Sequence, residues 1–479
     1  MPVESGLYVG GTWRPASDGA EIAVLDPASE ETITCVASAS CEDGLAAVDA
    51  AYEAQAEWAA RPPRERAEIL RRAFELMTAR AEDFARLISQ ENGKALKDAR
   101  GEAAYAAEFF RWYAEEAVRN ISDVSTAPSG RNRILVLQEP IGVSLLITPW
   151  NFPAAMATRK IGPALAAGCA VILKPASETP LTALAVAALL AEAGVPPGVV
   201  NVIPSNRSSA IVPAILADPR VRKLSFTGST AVGRILLAEA AKTVVDCSME
   251  LGGNAPVIVC KDADLDVAVE GAMIAKMRNG GEACTAANRF YVEDGIADAF
   301  IARFTAAMAA LKVGPGLEEG VDLGPLINKG AQESMADFVA EAVAHGGKVA
   351  TGGHRLNRAG YFFAPTVLTD AGDGARVWRE EIFGPVAPIR RFDDLDDVAA
   401  RANDTEYGLI AYVFTRDLAK GLTLSERLEF GMIGLNRGVV SDPAAPFGGV
   451  KQSGVGREGA HDGLLEFLDK KYIATSWQE

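Results

Sequence analysis

Two residues have side chains that could act as a nucleophile and as a base, and each lies next to small residues. Cys284 occupies the stretch NGGEACTAANR, in a chain of 479 residues that has only 6 cysteines. A cysteine acts as a nucleophile when it is reachable, prone to lose its proton and near a partner group. Glu250 lies in the stretch SMELGGNAP, and a carboxyl group whose pKa is raised by an apolar site can take a proton from water. The pair predicts a nucleophile and a base, although Glu250 taken alone is equally a solvated acid at a strand end.

Histidine, the usual partner of a nucleophilic cysteine, is scarce. The chain has only His345, His354 and His461, and none lies in a segment that resembles a catalytic loop. We interpret all three as solvated or capping residues, which disfavours a Cys-His protease. The cysteines form no C-x-x-C pair and have no histidine near them in the sequence, so no metal site is predicted.

Length, charge and targeting features limit the classes of protein. A chain of 479 residues is longer than one core usually supports, so at least two domains are expected. Lysine and arginine total 47 against 63 acidic residues, a net charge of −16 without a basic run, which makes nucleic acid and anionic membranes poor partners. The start of the chain lacks a secretory pattern, and the most apolar window, LTALAVAALLAEAGV, is shorter than a membrane helix. Cysteines without paired spacing fit a reducing compartment, so a cytoplasmic location is predicted.

The elements that must position the reactive residues follow from the hydrophobic pattern. Residues 44–119 carry long helical repeats. From about residue 134, short apolar runs alternate with helices, a pattern typical of parallel β-α-β units, whose ligands bind at the carboxyl ends of the strands. A further strand, a helix opened by Asp262 or Asp264, and a glycine pair lead into Cys284. The cysteine is therefore expected in a loop after a helix, within a second α/β domain from about 250 to 440.

A series of motifs, in order along the chain, resembles the NAD(P)-dependent aldehyde dehydrogenases. The motifs are TPWNFP (148–153), LKPASETP (173–180), FTGST (226–230), MELGGNAP (249–256), GGEACTAANR (280–289), EEIFGPV (380–386) and PFGGVKQSG (446–454). The resemblance extends from about residue 7 to 475. It implies an α/β aldehyde dehydrogenase fold, with a Rossmann-like NAD(P)-binding domain at 1–119 and 140–249 and an α/β catalytic domain at 250–440. Residues 120–139 and 441–479 would form a β oligomerisation arm and a C-terminal tail.

The resemblance implies roles for the reactive residues. Cys284 would attack the carbonyl group of a small-molecule aldehyde to form a thiohemiacetal. The side-chain amide of Asn151 and the backbone N–H of Cys284 would donate to the developing oxyanion. Small neighbours such as Gly280, Gly281 and Ala283 would let substrate and nicotinamide approach the sulfur. Glu250 would activate the water that hydrolyses the resulting thioester, so the product should be a free acid.

The cofactor residues also come from the resemblance. The positions that match are Trp150, Lys174, Pro175, Ala176, Ser177, Gly228, Ser229, Gly233, Leu251, Glu381 and Phe383. Lys174 would bind ribose hydroxyls, Gly228 and Ser229 would place a helix start against the pyrophosphate, and Glu381 with Phe383 would hold the nicotinamide ribose. NADP is predicted as the preferred cofactor, with NAD possible, because relatives that prefer NAD often carry glutamate where this chain has Ser177.

Within the family, two segments are most similar to the succinate-semialdehyde dehydrogenase branch. In that branch two arginines and a serine hold the far carboxylate of the substrate, and the matching residues are Arg159, Arg278 and Ser441. A guanidinium group suits this role because it binds a carboxylate through a bidentate fork. The structural alternatives are a surface ion pair for Arg159 and a helix C-terminal cation for Arg278.

The predicted reaction is the oxidation of succinic semialdehyde to succinate. Ala286 replaces the second cysteine of some members of that branch, so their redox disulfide should be absent, and Asp442 beside Ser441 leaves the length of the substrate open. The alternatives are a broader aldehyde dehydrogenase acting on glutarate semialdehyde or other short aldehydes, a non-catalytic protein of the same fold, and a cysteine hydrolase. A homo-oligomer, dimer or tetramer, is predicted because the strand RNRILVLQE has no obvious partner in its own domain.

Overall fold

The structure is a computed structural model that describes residues 3–476, and its elements alternate between strands and helices along most of the chain. The strands are β1 (Leu7–Val9), β2 (Thr12–Arg14), β3 (Glu21–Leu25), β4 (Thr32–Ala37), β5 (Asp123–Thr126), β6 (Arg133–Pro140), β7 (Val143–Ile147), β8 (Val171–Lys174), β9 (Val200–Val202), β10 (Val221–Thr227), β11 (Asp246–Glu250), β12 (Ala255–Val259), β13 (Ala287–Glu293), β14 (Lys348–Thr351), β15 (Thr366–Thr369), β16 (Val386–Phe392), β17 (Ile410–Phe414), β18 (Met432–Leu435), β19 (Gly454–Val455) and β20 (Leu468–Thr475). The predicted α/β class is confirmed.

Helices cover the sheets. They are α1 (Cys41–Ala60), α2 (Pro63–Ala79), α3 (Ala81–Asn92), α4 (Leu96–Glu116), α5 (Pro153–Ala167), α6 (Pro180–Ala193), α7 (Ser208–Leu216), α8 (Thr230–Ala240), α9 (Leu265–Met277), α10 (Asp294–Ala309), α11 (Lys329–Ala344), α12 (Leu395–Asn403), α13 (Leu418–Arg427) and α14 (Asp462–Leu465). Within residues 3–476 none of them is long and apolar enough to cross a membrane.

The first large sheet has eight strands in the order β19-β11-β10-β7-β8-β9-β1-β2. Its five central strands, β11 to β9, are parallel. Strands β7 and β8 are buried along their whole length, as expected for strands covered on both faces. The chain runs outward from β7 to β9 and then returns to β10 on the other side of β7. This reversal places the ends of β7 and β10 at a topological switch point, the usual position of a ligand in such sheets.

The second large sheet has seven strands in the order β14-β15-β16-β13-β12-β17-β18. All of its pairs are parallel except β14 with β15. Helix α9 follows β12 and is capped by Asp264, whose side chain accepts the N–H groups of Asp266 and Val267. Of the two residues proposed to open this helix, Asp264 is therefore the cap. Cys284 lies in the loop between α9 and β13, as predicted.

The arm is a three-stranded antiparallel sheet in the order β20-β6-β5. Strand β6 contains the segment RNRILVLQE from Arg133 onward, and it pairs with β20 from Arg133↔Thr475 to Pro140↔Leu468. The sequence showed no obvious partner for this strand in its own domain, and the structure supplies one from β20, a segment more than 300 residues later in the chain. The free edges belong instead to β5 and β20.

The predicted domain boundaries stay a prediction. Strand β19 lies inside the predicted C-terminal tail but pairs with β11 of the first sheet. Residues 1–2 and 477–479, which the predicted ranges include, lie outside the described residues.

Candidate active site

A cavity of about 390 Å³ lies where the two large sheets face each other. The predicted site residues that line it are Cys284, Asn151, Trp150, Gly228, Ser229, Leu251, Glu381 and Phe383. Trp150 and Asn151 follow β7, and Gly228 with Ser229 follows β10. Cys284 precedes β13, and Glu381 with Phe383 precedes β16. The cavity therefore joins the carboxyl ends of one sheet to the amino ends of the other.

Two of the aromatic residues that line the cavity, Trp150 and Phe383, are not core residues. Trp150 and Phe383 are each only half-buried, and their rings meet edge to face at 5.4 Å. Phe383 also has a φ of 52°, a left-handed conformation that is uncommon for a bulky residue and often occurs at functional sites. Both side chains are placed to form a wall of the cavity.

The loop that carries Cys284 is built from left-handed residues. After α9, Asn279, Gly280 and Gly281 have φ values of 54°, 64° and 83°. A Cβ atom on Gly281 would overlap the carbonyl oxygen of Gly384, and one on Gly253 would lie 2.7 Å from the carbonyl oxygen of Cys284. The sequence interpretation assigned the glycines of this loop to the approach of substrate and cofactor. The structure shows that Gly281 is needed for close packing of neighbouring loops.

The Cys284 thiol is partly exposed to the cavity but enclosed by protein on its other sides. Burial raises its pKa to about 12, and the charges of Glu250 and Glu381 add to that effect. Arg159 and Arg278 oppose it. The thiol is therefore protonated at neutral pH, and attack requires its proton to leave.

Asn151 is buried and its side chain is directed to the cysteine loop. Its Nδ2 donates to the backbone oxygen of Glu282 at 3.0 Å, two residues before Cys284. An amide nitrogen carries two hydrogens, so one remains for a ligand in the cavity.

Glu250 ends β11 and is buried, but it is not among the residues that line the 390 Å³ cavity. Burial raises its pKa well above the ordinary carboxyl range, and repulsion from Glu458 adds to the shift. Arg159, Lys160 and Arg457 lower it by smaller amounts. The raised pKa fits a carboxyl group that can take up a proton more readily than an ordinary carboxylate.

Arg159 belongs to a buried ionic cluster rather than to the surface. Its Nε lies 2.5 Å from Glu458 Oε2, while Lys160 Nζ donates to Glu458 Oε1 at 2.5 Å and to Ser225 Oγ at 2.8 Å. The ring of Phe447 covers the Arg159 guanidinium at 4.3 Å. Burial alone would raise the pKa of Glu458, but the two cations outweigh it and lower that pKa. The surface ion pair considered for Arg159 is wrong, because the pair is fully enclosed.

Glu458 was missed by the sequence interpretation. It lies in the stretch GVGREG, just after the last recognised motif. Lys160 is 298 residues earlier in the chain, and no spacing pattern connects Glu458 to Lys160 or to Arg159. Only the fold brings these charges together.

Arg278 has a different environment from Arg159. Its Nη1 donates to Ser441 Oγ at 3.2 Å, and its guanidinium lies 5.1 Å from the centre of the Phe152 ring and 5.8 Å from that of Tyr105. Within residues 3–476, no carboxylate oxygen lies within 4.0 Å of this guanidinium. Arg278 therefore has the charge for a carboxylate and has no protein carboxylate bound to it.

Asp442, beside Ser441, does not enter this arrangement. Its side chain is exposed and accepts the backbone N–H of Ala444 at 2.9 Å. The Asp442 carboxylate therefore forms its hydrogen bond within its own turn.

The predicted adenosine side of the cofactor site lies at the end of β8. Lys174 is buried and donates to the oxygen of Pro175 at 3.1 Å, and burial lowers its pKa to about 8 against the opposing charge of Glu178. Ser177 is half-buried and its Oγ donates to Glu178 at 3.0 Å. Ala176 lies between them in the same turn. None of these residues lines the 390 Å³ cavity, which reaches only the other end of the predicted cofactor site.

The residues around the cavity fit a dinucleotide. Ser229 caps α8 and accepts only the N–H of Val232, so the other first N–H groups of the helix remain available to a phosphate. Glu381 accepts the N–H of Gly253 at 3.1 Å, and its other oxygen is free for a hydroxyl group. Burial raises the pKa of Glu381 to about 7. Gly233 makes a packing contact instead, since a Cβ atom there would overlap Leu251.

No group of three or more His, Cys, Asp or Glu side chains within residues 3–476 could hold a metal ion.

Comparison with known proteins agrees with this arrangement. Residues 13–473 match the model of the aldehyde dehydrogenase family. The chain belongs to the aldehyde dehydrogenase family, and the prediction from its ordered motifs is confirmed.

The individual relatives include two semialdehyde dehydrogenases and one NADP-dependent enzyme. The chain is 54% identical over 444 residues to a succinate-semialdehyde dehydrogenase of Paenarthrobacter nicotinovorans, covering 93% of this chain and 99% of that one. It is 48% identical over 466 residues to a glutarate-semialdehyde dehydrogenase of Pseudomonas aeruginosa, covering 97% and 96%. The crystal structure of an NADP-dependent enzyme of E. coli superposes with a TM-score of 0.98 at 47% identity, covering 99% and 98%. The predicted aldehyde dehydrogenase fold is confirmed.

Proposed function

We propose that this protein oxidises succinic semialdehyde to succinate with NADP, and less efficiently with NAD. The observation that carries the proposal is the state of Arg278: it is bonded to Ser441, has no carboxylate within 4.0 Å among the described residues, and acts electrostatically on Cys284. A short aldehyde with a carboxylate at its far end would supply the missing charge and bring its carbonyl group to the thiol.

Arg159 contributes to the same proposal in a different way. Its guanidinium is already paired with Glu458, so it would form one side of the binding site and would not offer a free fork to the substrate. Both arginines act on the same buried phenol: burial raises the pKa of Tyr105, and the charges of Arg159 and Arg278 lower it.

The first chemical step belongs to Cys284. After the thiol has lost its proton to solvent, the sulfur attacks the aldehyde carbon and the carbonyl oxygen becomes an oxyanion. The free N–H of the Asn151 amide and the backbone N–H of Cys284 stabilise that charge.

The oxidation needs the cofactor. Lys174, Ser177, the start of α8 at Gly228 and Ser229, and Glu381 would hold it. When bound, NADP would supply the two-electron oxidant for this step, and the acyl group would remain on the Cys284 sulfur as a thioester. The preference for NADP rests on Ser177 and agrees with the NADP-dependent structural relative.

Glu250 completes the reaction. As a carboxylate it removes a proton from a water molecule whose oxygen attacks the thioester carbon. The C–S bond breaks, the free acid leaves, and Cys284 takes up a proton. Because its pKa is raised, Glu250 is a stronger base than an ordinary carboxylate once it is ionised.

The proposal also includes a homo-oligomeric assembly and a cytoplasmic location. We infer a homo-oligomer, because β5 and β20 leave two free strand edges whose side chains are mostly exposed. A cytoplasmic location is supported by six cysteines that are all free thiols.

The proposal is tested with a panel of aldehydes. Succinic semialdehyde, glutarate semialdehyde and butanal are each assayed by cofactor absorbance with NADP and with NAD. We expect the highest catalytic efficiency for succinic semialdehyde with NADP. Glutarate semialdehyde is the second candidate, because a relative of 48% identity carries that name. Cofactor binding without any turnover would favour a non-catalytic protein, and ester hydrolysis without oxidation would favour a hydrolase.

A further inference from the structure

A buried ion pair outside the cavity holds the backbone of Asn151. Lys94 lies two residues before α4 and Glu102 lies within α4. Their side chains are 2% and 0% exposed, and Lys94 Nζ donates to Glu102 Oε2 at 2.5 Å. Lys94 Nζ also donates to the backbone oxygen of Asn151 at 2.6 Å. Two unlike charges enclosed in this way are stable only with further hydrogen bonds, and here those bonds are to Asn151 and its neighbours.

Glu102 holds the other side of Asn151. Its second oxygen accepts the N–H groups of Ala154 at 2.9 Å and Ala155 at 3.3 Å, the first turn of α5. The carboxylate therefore caps the helix that begins two residues after Asn151. The residue is held at its own carbonyl group and at the helix that follows it.

Asn279 adds a third attachment from the cysteine loop. Its Nδ2 donates to the oxygen of Asn151 at 3.0 Å and to the oxygen of Glu282 at 2.8 Å, the same oxygen that accepts the Asn151 amide. Asn279 has a φ of 54°, so its backbone is kept in a strained conformation while its side chain makes these bonds.

We propose that Lys94 and Glu102 are positioning residues for the Asn151 oxyanion donor, with Asn279 joining them to the Cys284 loop. They touch neither substrate nor cofactor, and they act by keeping the Asn151 amide at a fixed place relative to Cys284. The inference rests on the proposed role of Asn151 in the reaction. A small displacement of such a donor is costly, because stabilisation of an oxyanion depends steeply on distance.

The test is a double-mutant comparison. Lys94→Met with Glu102→Gln removes both charges together, which avoids leaving one buried charge unpaired. Asn279→Gly removes the amide bonds while suiting a positive φ. Glu91→Gln is the matched control: Glu91 is buried and caps α6 through the N–H groups of Leu181 and Thr182 at 2.8 and 2.9 Å, and neither bond involves Asn151.

Two readouts are used: the rate of the pre-steady-state cofactor burst, and acylation of Cys284 by 4-nitrophenyl acetate without cofactor, followed by intact mass. Attack on either carbonyl group creates an oxyanion. We expect the Lys94/Glu102 double variant to slow both by about tenfold, and Asn279→Gly to slow both in the same direction. Glu91→Gln should leave acylation within twofold.

The decisive comparison uses Asn151→Ala as the background. If Lys94 and Glu102 act through Asn151, their replacement should cause no further slowing in that background. An equal loss in both backgrounds, or no loss in the wild type, would overturn the inference, as would an Asn151→Ala variant that acylates normally. Because acylation needs neither cofactor nor semialdehyde, a failure of the proposed substrate would leave this result interpretable.

Discussion

We expect the reaction rate to depend on pH through the ionisation of Glu250, the proposed base. Since burial and Glu458 raise its pKa, the group is protonated at low pH and cannot accept a proton from water. Steady-state oxidation should therefore rise with pH as Glu250 ionises. Glu250→Gln should retain a burst of reduced cofactor and then stop at the thioester, as followed by stopped-flow absorbance, whereas Cys284→Ala should give no burst. Full steady-state turnover in Glu250→Gln would contradict the assigned base.

We expect substrate selectivity to depend on Arg278. Its removal should cost about 1.5–3 kcal/mol of binding, the range for a charge-assisted hydrogen bond, or roughly a tenfold to hundredfold loss in kcat/KM for succinic semialdehyde. Butanal has no carboxylate, so its kcat/KM should change much less. Equal losses for the two aldehydes would show that Arg278 holds the fold instead.

Arg159→Ala serves as the comparison for Arg278. It would leave Glu458 buried with only Lys160 as its partner, so part of its effect should fall on both aldehydes and on thermal stability. The structure thus separates two arginines for which the sequence predicted the same role.

We expect cofactor choice to depend on Ser177. Glutamate at this position would accept hydrogen bonds from ribose hydroxyls and repel a 2′-phosphate, next to the existing Glu178. We expect Ser177→Glu to shift the ratio of kcat/KM values from NADP towards NAD, measured at saturating aldehyde. A wild-type enzyme that uses NAD ten times better than NADP would refute the assignment.

At the scale of elements, the turn after α9 should tolerate no side chain at Gly281. Alanine there would combine a left-handed backbone, which costs about 1–2 kcal/mol, with overlap against Gly384. Gly281→Ala should lower the melting temperature and slow the acylation of Cys284. Gly19→Ala is the control, because Gly19 has a φ of 71° and a Cβ atom added there would meet no other atom within 4 Å. Similar losses in both variants would mean that backbone conformation, and not loop packing, sets the requirement.

At the scale of the whole molecule, the arm predicts association. Val124 in β5 is 71% exposed and Ile473 in β20 is 40% exposed, which leaves apolar side chains on both edge strands. Light scattering at micromolar concentration should give the mass of a dimer or a tetramer of the 50.4 kDa chain. A monomer at that concentration would contradict the proposal.

The sequence by itself determined the class of fold and identified eight of the residues that line the cavity. Strand and helix periods are local properties, so alternating elements and the loop position of Cys284 were predicted correctly. The motifs around Asn151, Gly228 and Glu381 were also recognisable, because each is a short stretch whose residue types suit one task. The task of such a motif can be predicted from a few neighbouring residues, without knowledge of the rest of the fold.

Only the tertiary structure decided which groups share a charge environment. Glu458 pairs with Arg159 and Lys160, Lys94 holds the backbone of Asn151, and β20 pairs with β6, each across a separation that no local pattern records. The same applies to the raised pKa of Glu250, which depends on burial by distant segments. Burial and ion pairing are set by which surfaces meet when the chain packs, and a linear spacing of residues does not contain that information.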